Sequence, residues 1–260
     1  MMQLTLEQKR HRLFIILAGI FITNALLAEI IGVKIFSAEA TVGLKPAQLN
    51  ILGFVMDFNL TAGALIWPVV FITTDLINEY FGKPGVKRIS YQTALLILYA
   101  FIVIFLTIRL PPASWWEQLT DADGNVFNMN LAFNKILGQG QRIIVGSLSA
   151  FLLGQLVDVF VFQKLRQVTG NRFLWLRATG STLVSQLVDS FVVLFIAFYG
   201  VFSTDQIFAI AITNYIYKFC VAILLTPLIY LGHFVIDGYL GKENATLLSE
   251  NAAKQSKGFF

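Results

Sequence analysis

The chain has 260 residues, of which 57% are hydrophobic and only 13% are charged, with a formal net charge of +4. Soluble domains carry about 25% charged residues, so the polar surface that a soluble fold of this length requires is missing. A single cysteine, Cys220, excludes a disulfide framework and a multi-cysteine zinc site. The two histidines, His11 and His233, are too few and too far apart to indicate a metal centre, and no cofactor is expected.

Six apolar stretches predict six transmembrane helices, because about 20 apolar residues cross the roughly 30 Å of hydrocarbon in a bilayer. We therefore expect an all-α membrane protein. Pro68 falls inside the second stretch and is expected to bend that helix, which membrane proteins tolerate. The predicted spans are 13–36, 60–81, 89–110, 143–165, 178–201 and 207–236.

The basic residues predict the orientation, because cytoplasmic loops of membrane proteins are enriched in Lys and Arg. Of the 19 Lys and Arg residues, 13 fall in the segments that lie inside if the amino terminus is cytoplasmic, and only four fall in the outer segments. Both termini are therefore expected in the cytoplasm. The resulting division is a cytoplasmic segment 1–12, a six-helix domain 13–236 with outer loops 37–59 and 111–142, and a cytoplasmic tail 237–260.

Charged side chains inside the predicted spans are the main functional signal. Each costs about 2.5–3.5 kcal/mol on insertion scales, whereas interhelical hydrogen bonds contribute less than about 1 kcal/mol on average. Structural pairing therefore explains single members but not the whole set. The set also carries amides at helical spacing, so that polar faces form on four helices. The charged members are Glu29, Lys34, Asp75, Glu79, Asp158, Asp189 and Lys218.

A short internal repeat places two of these aspartates in matching positions. The sequence QLVDVFV at 155–161 recurs as QLVDSFV at 186–192. Consecutive spans run in opposite directions, so the Gln155/Asp158 and Gln186/Asp189 faces would enter one site from opposite sides, as in transporters built from inverted elements. Coincidence in a chain rich in Leu, Val and Phe, and close helix packing at the small residues Gly154 and Ser185, are the alternative explanations.

Longer motifs resemble a known family. GALIWP at 63–68, FITTDL at 71–76 and YFG at 80–82 resemble the second span of the queuosine precursor transporters, which are also described as vitamin-uptake-transporter-like proteins. GQLVDV at 154–159 resembles the fourth span of that family, and STL at 181–183 and YIYK at 215–218 resemble its fifth and sixth. The resemblance covers roughly residues 60–235.

The resemblance implies a bacterial inner-membrane carrier that imports 7-cyano- and 7-aminomethyl-7-deazaguanine, the precursors of queuosine. A deazaguanine edge presents a ring N–H beside an amino group, and one carboxylate can accept both. Asp158 or Asp189 is the expected acceptor. The alternative role for Lys218 is to neutralise one of these aspartates without binding the solute. The candidate substrate-binding residues are Asp158, Asp189, Gln155, Gln186, Asn214, Lys218, Asp75, Trp67 and Tyr217. Candidates for a gate or for ion coupling are Glu79, Glu29, Asn24 and Lys34.

Two other transport functions remain open on the sequence alone, together with one enzymatic function. The two transport alternatives are the substrate-binding subunit of an energy-coupling-factor importer and a carrier of a related purine-like base. No Walker A loop occurs, so ATP hydrolysis by this chain through a P-loop is not expected. An intramembrane enzyme using Asp158 and Asp189 is disfavoured, because no nucleophile or metal-ligand cluster accompanies them. We therefore expect a transporter with a small purine-like solute, a lipid environment and no nucleic-acid partner.

Overall fold

The computed structural model describes residues 5–120, 124, 126–138, 141–170 and 172–255, with the backbone alone for 141–144. The predicted amino-terminal segment, outer loop 111–142 and carboxy-terminal tail each extend into residues outside that part. The helices are α1 (Leu6–Ile31), α2 (Ala38–Thr41), α3 (Trp67–Thr107), α4 (Ser114–Glu117), α5 (Met129–Leu137), α6 (Gln141–Thr169), α7 (Leu174–Phe198), α8 (Thr204–Leu240) and α9 (Lys242–Gln255). The strands are β1 (Ile35–Ser37), β2 (Leu49–Ile51), β3 (Phe54–Met56), β4 (Asn59–Thr61), β5 (Gln118–Thr120) and β6 (Val126–Asn128).

Five of the described helices are long and apolar enough to cross a membrane, namely α1, α3, α6, α7 and α8. Large apolar side chains cover their outer surfaces; Leu224 is 75% exposed and Phe234 is 77% exposed. Exposure of this kind suits lipid rather than water as the surrounding medium. The structure therefore agrees with the predicted all-α membrane protein.

Helix α3 contains the second and third predicted spans, and it is interrupted at Gly82. Gly82 has φ 65° and ψ −172°, a conformation that is essentially restricted to glycine. A straight helix of 41 residues would be about 60 Å long, twice the hydrocarbon thickness. Phe71 and Ile104 would then lie about 50 Å apart, yet both line the same cavity. The two halves of α3 therefore fold back on each other at Gly82.

The amino-terminal ends of the first two long helices have ordinary chemical causes. In α1, the Thr5 side chain accepts from the backbone N–H of Gln8, while the Gln8 side chain accepts from the backbone N–H of Thr5. In α3, Pro68 lies in the first turn, where its missing N–H has no intrahelical partner to lose. The expectation that Pro68 bends a helix was wrong, because the helix begins one residue earlier than the proline.

The segment 37–59 is held together by one carboxylate. β1 pairs with β4 and β2 pairs with β3, both antiparallel. Glu39 accepts hydrogen bonds from the backbone N–H groups of Phe58 and Ala47, at 2.8 and 3.3 Å, and from the Ser37 hydroxyl at 3.0 Å. These hydrogen bonds stabilise the ionised carboxylate and so lower the pKa of Glu39, with the bond from Phe58 as the largest cause. This loop is therefore a structured element rather than an extended connection.

The carboxy-terminal segment forms a helix that packs on the bundle. α9 follows α8 after Gly241 and buries Ala245, Leu248 and Ala252. Arg166 of α6 donates to the backbone carbonyl of Ser249 at 2.8 Å. Residues 242–255 are thus part of the folded protein, at the end of the bundle where Gly82 reverses the chain.

The reversal at Gly82 leads to a prediction about stability. Replacing Gly82 with Ala forces a Cβ into a glycine-only conformation and should cost about 1–3 kcal/mol. The measurement is thermal unfolding of the purified protein in detergent. Gly19→Ala is the matched control, because Gly19 lies inside α1 and an added Cβ would meet no heavy atom within 4 Å. Equal unfolding temperatures for the two variants would contradict a tight reversal at Gly82.

Candidate functional site

A cavity of about 450 Å³ lies among α1, α3, α6, α7 and α8, and residues of β1 and β4 also line it. This volume lies within the range of small-molecule sites. Eight of the side chains singled out from the sequence line the cavity. They are Glu29, Trp67, Asp75, Gln186, Asp189, Asn214, Tyr217 and Lys218.

The first half of α3 contributes an aromatic surface followed by an acid. Trp67, Phe71 and Asp75 line the cavity and repeat at intervals of four residues, which places them on one face of the helix. The rings of Trp67 and Phe71 are stacked, with centroids 5.8 Å apart and an interplanar angle of 18°. The same cavity wall therefore combines a flat apolar surface with a carboxylate.

Helices α7 and α8 contribute an ion pair. The Nζ atom of Lys218 donates to Oδ2 of Asp189 at 2.5 Å. Both side chains are about a quarter exposed, at 21% and 24%, because they border the cavity. Asn214 lies one helical turn before Lys218 and lines the cavity as well. The pairing leaves Lys218 with further donors and keeps both charges partnered.

Glu29 completes the polar lining at the end of α1. Its Oε1 atom accepts a hydrogen bond of 2.5 Å from the hydroxyl of Ser147 on α6. The backbone near Glu29 is tightly packed, since a Cβ added to Gly63 would lie 2.4 Å from the carbonyl oxygen of Ala28. This close approach fixes the end of α1 against the turn that precedes α3.

The remaining predicted site residues do not line the cavity. Gln155 lies 3.5 Å from the Thr74 hydroxyl, and Asp158 accepts a hydrogen bond of 3.4 Å from Ser185. Asn24 donates to the carbonyl of Ile20 in its own helix at 2.8 Å. Lys34 is exposed, and Glu79 is buried in an ion-pair cluster away from the cavity.

The two copies of the repeat pack side by side. Ser185, which directly precedes the second copy, donates to Asp158 of the first. A Cβ added to Gly154, which directly precedes the first copy, would lie 3.7 Å from the Cβ of Asp189 in the second. Each small residue thus faces the aspartate of the other copy. Only the second copy lines the cavity, since Gln186 and Asp189 do so and their counterparts Gln155 and Asp158 lie against neighbouring helices.

The buried cluster around Glu79 closes the bundle at the Gly82 end. Oε1 of Glu79 accepts from Arg177 at 2.9 Å, from Arg166 at 3.3 Å and from the Ser249 hydroxyl at 2.7 Å. The Arg166 and Arg177 side chains are 4% and 3% exposed. One carboxylate therefore joins α3, α6, α7 and α9.

Sequence reasoning missed four members of these clusters. Arg166 and Arg177 counted as cytoplasmic loop charges, and neither Ser147 nor Ser249 stood out. A signal for Arg166 did exist, because Gln155, Asp158, Gln163 and Arg166 recur along one face of α6. Serines carry no comparable signal, since a hydroxyl is common in any helix interior.

Comparison with known proteins identifies the family. Residues 61–232 match the family described as "Putative vitamin uptake transporter". The chain is 32% identical over 187 residues to the "Probable queuosine precursor transporter" of Bacillus subtilis (strain 168), covering 71% of this chain and 77% of that protein. It is 32% identical over 176 residues to the "Queuosine precursor transporter" of Escherichia coli (strain K12), covering 65% and 71%. No solved structure matches the chain.

These matches confirm the family predicted from the motifs of the second, fourth, fifth and sixth spans. Together with the five long apolar helices, they identify a multi-pass bacterial membrane protein that is a transporter and not an enzyme. The matched region contains α3, α6, α7 and most of α8, and therefore most of the cavity wall. The chain belongs to the vitamin uptake transporter family, within which its curated relatives are named queuosine precursor transporters.

Proposed function

We propose that this protein imports 7-cyano-7-deazaguanine and 7-aminomethyl-7-deazaguanine into the cytoplasm. The observation that carries the proposal is the cavity, which combines stacked aromatic rings with carboxylate, amide and ammonium groups in a chain of this family. The names of the relatives support the choice of solute. A cavity of about 450 Å³ accommodates a bicyclic base with a small substituent.

The cavity wall suits a flat heterocycle. Trp67 and Phe71 offer a stacking surface, and stacking of a base on an aromatic side chain contributes about 1–3 kcal/mol in nucleic-acid proteins. Asn214 and Lys218 both carry N–H donors and line the same cavity from α8. We assign them to the ring carbonyl of the solute, which accepts hydrogen bonds.

We further propose six membrane spans with both termini in the cytoplasm. The fold-back at Gly82 supports counting α3 as two spans, and the excess of Lys and Arg on one side supports the orientation. In that orientation we expect the cavity to open outwards, because residues of β1 and β4 line it and these strands flank the predicted outer loop 37–59.

The Glu79 cluster then acts as the inner closure. It lies at the Gly82 end, where the cytoplasmic basic residues are concentrated, and it ties four helices together through one buried carboxylate. Asp75 lines the cavity and Glu79 follows one helical turn later on the same helix. Import requires this cluster to open while the outer mouth closes, as in alternating access.

The proposed function predicts the outcome of an uptake experiment. A bacterial host that cannot make queuosine precursors and lacks its own importer should recover queuosine in its transfer RNA when this protein and either precursor are supplied. Asp189→Asn should abolish most of the recovery, because Lys218 loses its charged partner. Trp115→Ala is the control, since Trp115 is 76% exposed in the outer loop and does not line the cavity.

Failure of both precursors to restore queuosine, with the protein correctly inserted, would overturn the choice of solute. Recovery that depends on added energy-coupling ATPases would instead support the alternative of a substrate-binding subunit.

The inner closure predicts a second outcome. Glu79→Gln removes the carboxylate that the buried Arg166 and Arg177 both bind, which should destabilise the protein by about 3–5 kcal/mol. The measurement is chemical or thermal unfolding in detergent. Glu243→Gln is the matched control, because Glu243 is exposed on α9 and should change stability by less than about 0.5 kcal/mol. A similar small change for Glu79→Gln would show that the cluster does not hold the inner end.

A further inference from the structure

Two buried acceptor atoms in the cavity wall lack hydrogen-bond partners. Among the described residues, ten buried side-chain polar atoms have no partner. Two of these atoms belong to cavity-lining residues, Oδ1 of Asp75 and Oε1 of Gln186. Asp75 is 2% exposed and Gln186 is 4% exposed. Buried acceptors are nearly always satisfied in folded proteins, so this pair points to a ligand that supplies donors.

The two residues line the cavity from different helices. Asp75 lies on α3, one turn beyond the stacked ring of Phe71. Gln186 lies on α7, one turn before Asp189 and its ion pair with Lys218. The aromatic surface, the two acceptors and the cationic donor therefore line one cavity. A planar solute with donors on one edge and an acceptor on the next edge matches that arrangement.

We infer that Asp75 and Gln186 bind the donor edge of the solute, an inference that rests on the proposed function. The carboxylate of Asp75 accepts from the ring N–H and from one hydrogen of the exocyclic amine, and Gln186 accepts from the other hydrogen of that amine. Asp189 does not take this role, because its Oδ2 atom is bound by Lys218. Asp158 does not take it either, because it does not line the cavity.

This arrangement makes the pair a specificity filter for guanine-type bases. A hypoxanthine-type base keeps the ring N–H but lacks the amine, so Gln186 stays unpaired. An adenine-type base presents a ring acceptor towards Asp75, and the two acceptors repel each other. Sites that hydrogen-bond a buried polar group of the correct substrate strongly reject an analogue without it.

The test changes the protein residue and the exocyclic amine of the solute separately and together, and compares the effects. Uptake of labelled 7-cyano-7-deazaguanine is competed with unlabelled 7-deazaguanine and with 7-deazahypoxanthine, which differ only in the exocyclic amine. In the wild-type protein, half-inhibition should require at least about tenfold more of the analogue without the amine. In Asp75→Asn and in Gln186→Leu that ratio should fall at least about threefold. A purely structural defect would weaken both competitors equally and leave the ratio unchanged.

Asp158→Asn is the matched control, because it makes the same substitution in a buried carboxylate that also has one unpartnered oxygen but does not line the cavity. Its ratio should equal that of the wild type, whatever its rate of uptake. For a variant that does not support uptake, the same ratio is measured by equilibrium binding to the purified protein.

Two results would overturn the inference while leaving the proposed function intact. One is a wild-type ratio near one. The other is a ratio that stays at the wild-type value in both Asp75→Asn and Gln186→Leu. Absence of any uptake or binding of 7-cyano-7-deazaguanine by the wild-type protein would overturn the proposed function itself, and the inference with it.

Discussion

Polar side chains inside a bilayer must find partners within the protein, because hydrocarbon offers none. The contact between the first half of α3 and α6 satisfies this constraint three times along its length. Thr74 lies 3.5 Å from Gln155, Gln163 donates to Asn78 at 2.7 Å, and Arg166 donates to Glu79 at 3.3 Å. A shift of one residue in the register of either helix would break all three contacts. The pairing therefore fixes how these helices pack.

The first half of α3 carries a buried ion-pair cluster at its Gly82 end and a cavity-lining carboxylate one turn earlier. At the Gly82 end, Glu79 is bound by Arg166, Arg177 and Ser249, so that its charge is buried and partnered. One turn earlier, Asp75 lines the cavity and keeps an oxygen free of partners among the described residues. Replacing a buried ion pair by apolar residues is often neutral for stability. The polar residues of α3 are therefore better explained by closure and recognition than by stability alone.

Local pattern predicted part of this arrangement and could not predict the rest. The five long apolar helices follow from length and hydropathy, and the polar faces of α3, α6, α7 and α8 follow from helical spacing. The repeat, however, gives Gln155/Asp158 and Gln186/Asp189 nearly identical surroundings in sequence. Which copy lines the cavity depends on the packing of α6 against α3, which is a tertiary contact. The site assignment to Asp158 as well as Asp189 could not be refined without that contact.

The charges at the Gly82 end show the same limit. Arg166 and Arg177 lie at the boundaries between helices and connections, where loop charges are common, and only the position of Glu79 explains their burial. The hydrogen bonds from Phe58 and Ala47 to Glu39 join residues 19 and 8 positions away, beyond any helical or strand periodicity. Family motifs predicted the solute class, and the sequence already placed Asp75 among the candidates, but only the geometry shows that it lines the cavity and has an unpartnered oxygen.

If the cavity among α1, α3, α6, α7 and α8 is the solute site, bound solute should protect a cysteine placed in its wall. In a Cys220→Ser background, Ala64→Cys introduces a thiol in the cavity lining, and Ala113→Cys introduces one on an exposed loop outside it. Both should react with a membrane-impermeant maleimide added from outside. Saturating 7-cyano-7-deazaguanine should slow the labelling of Ala64→Cys at least about tenfold, as expected for a site more than 90% occupied, and leave that of Ala113→Cys unchanged. Equal labelling rates at Ala64→Cys with and without the solute would show that the solute does not bind in this cavity.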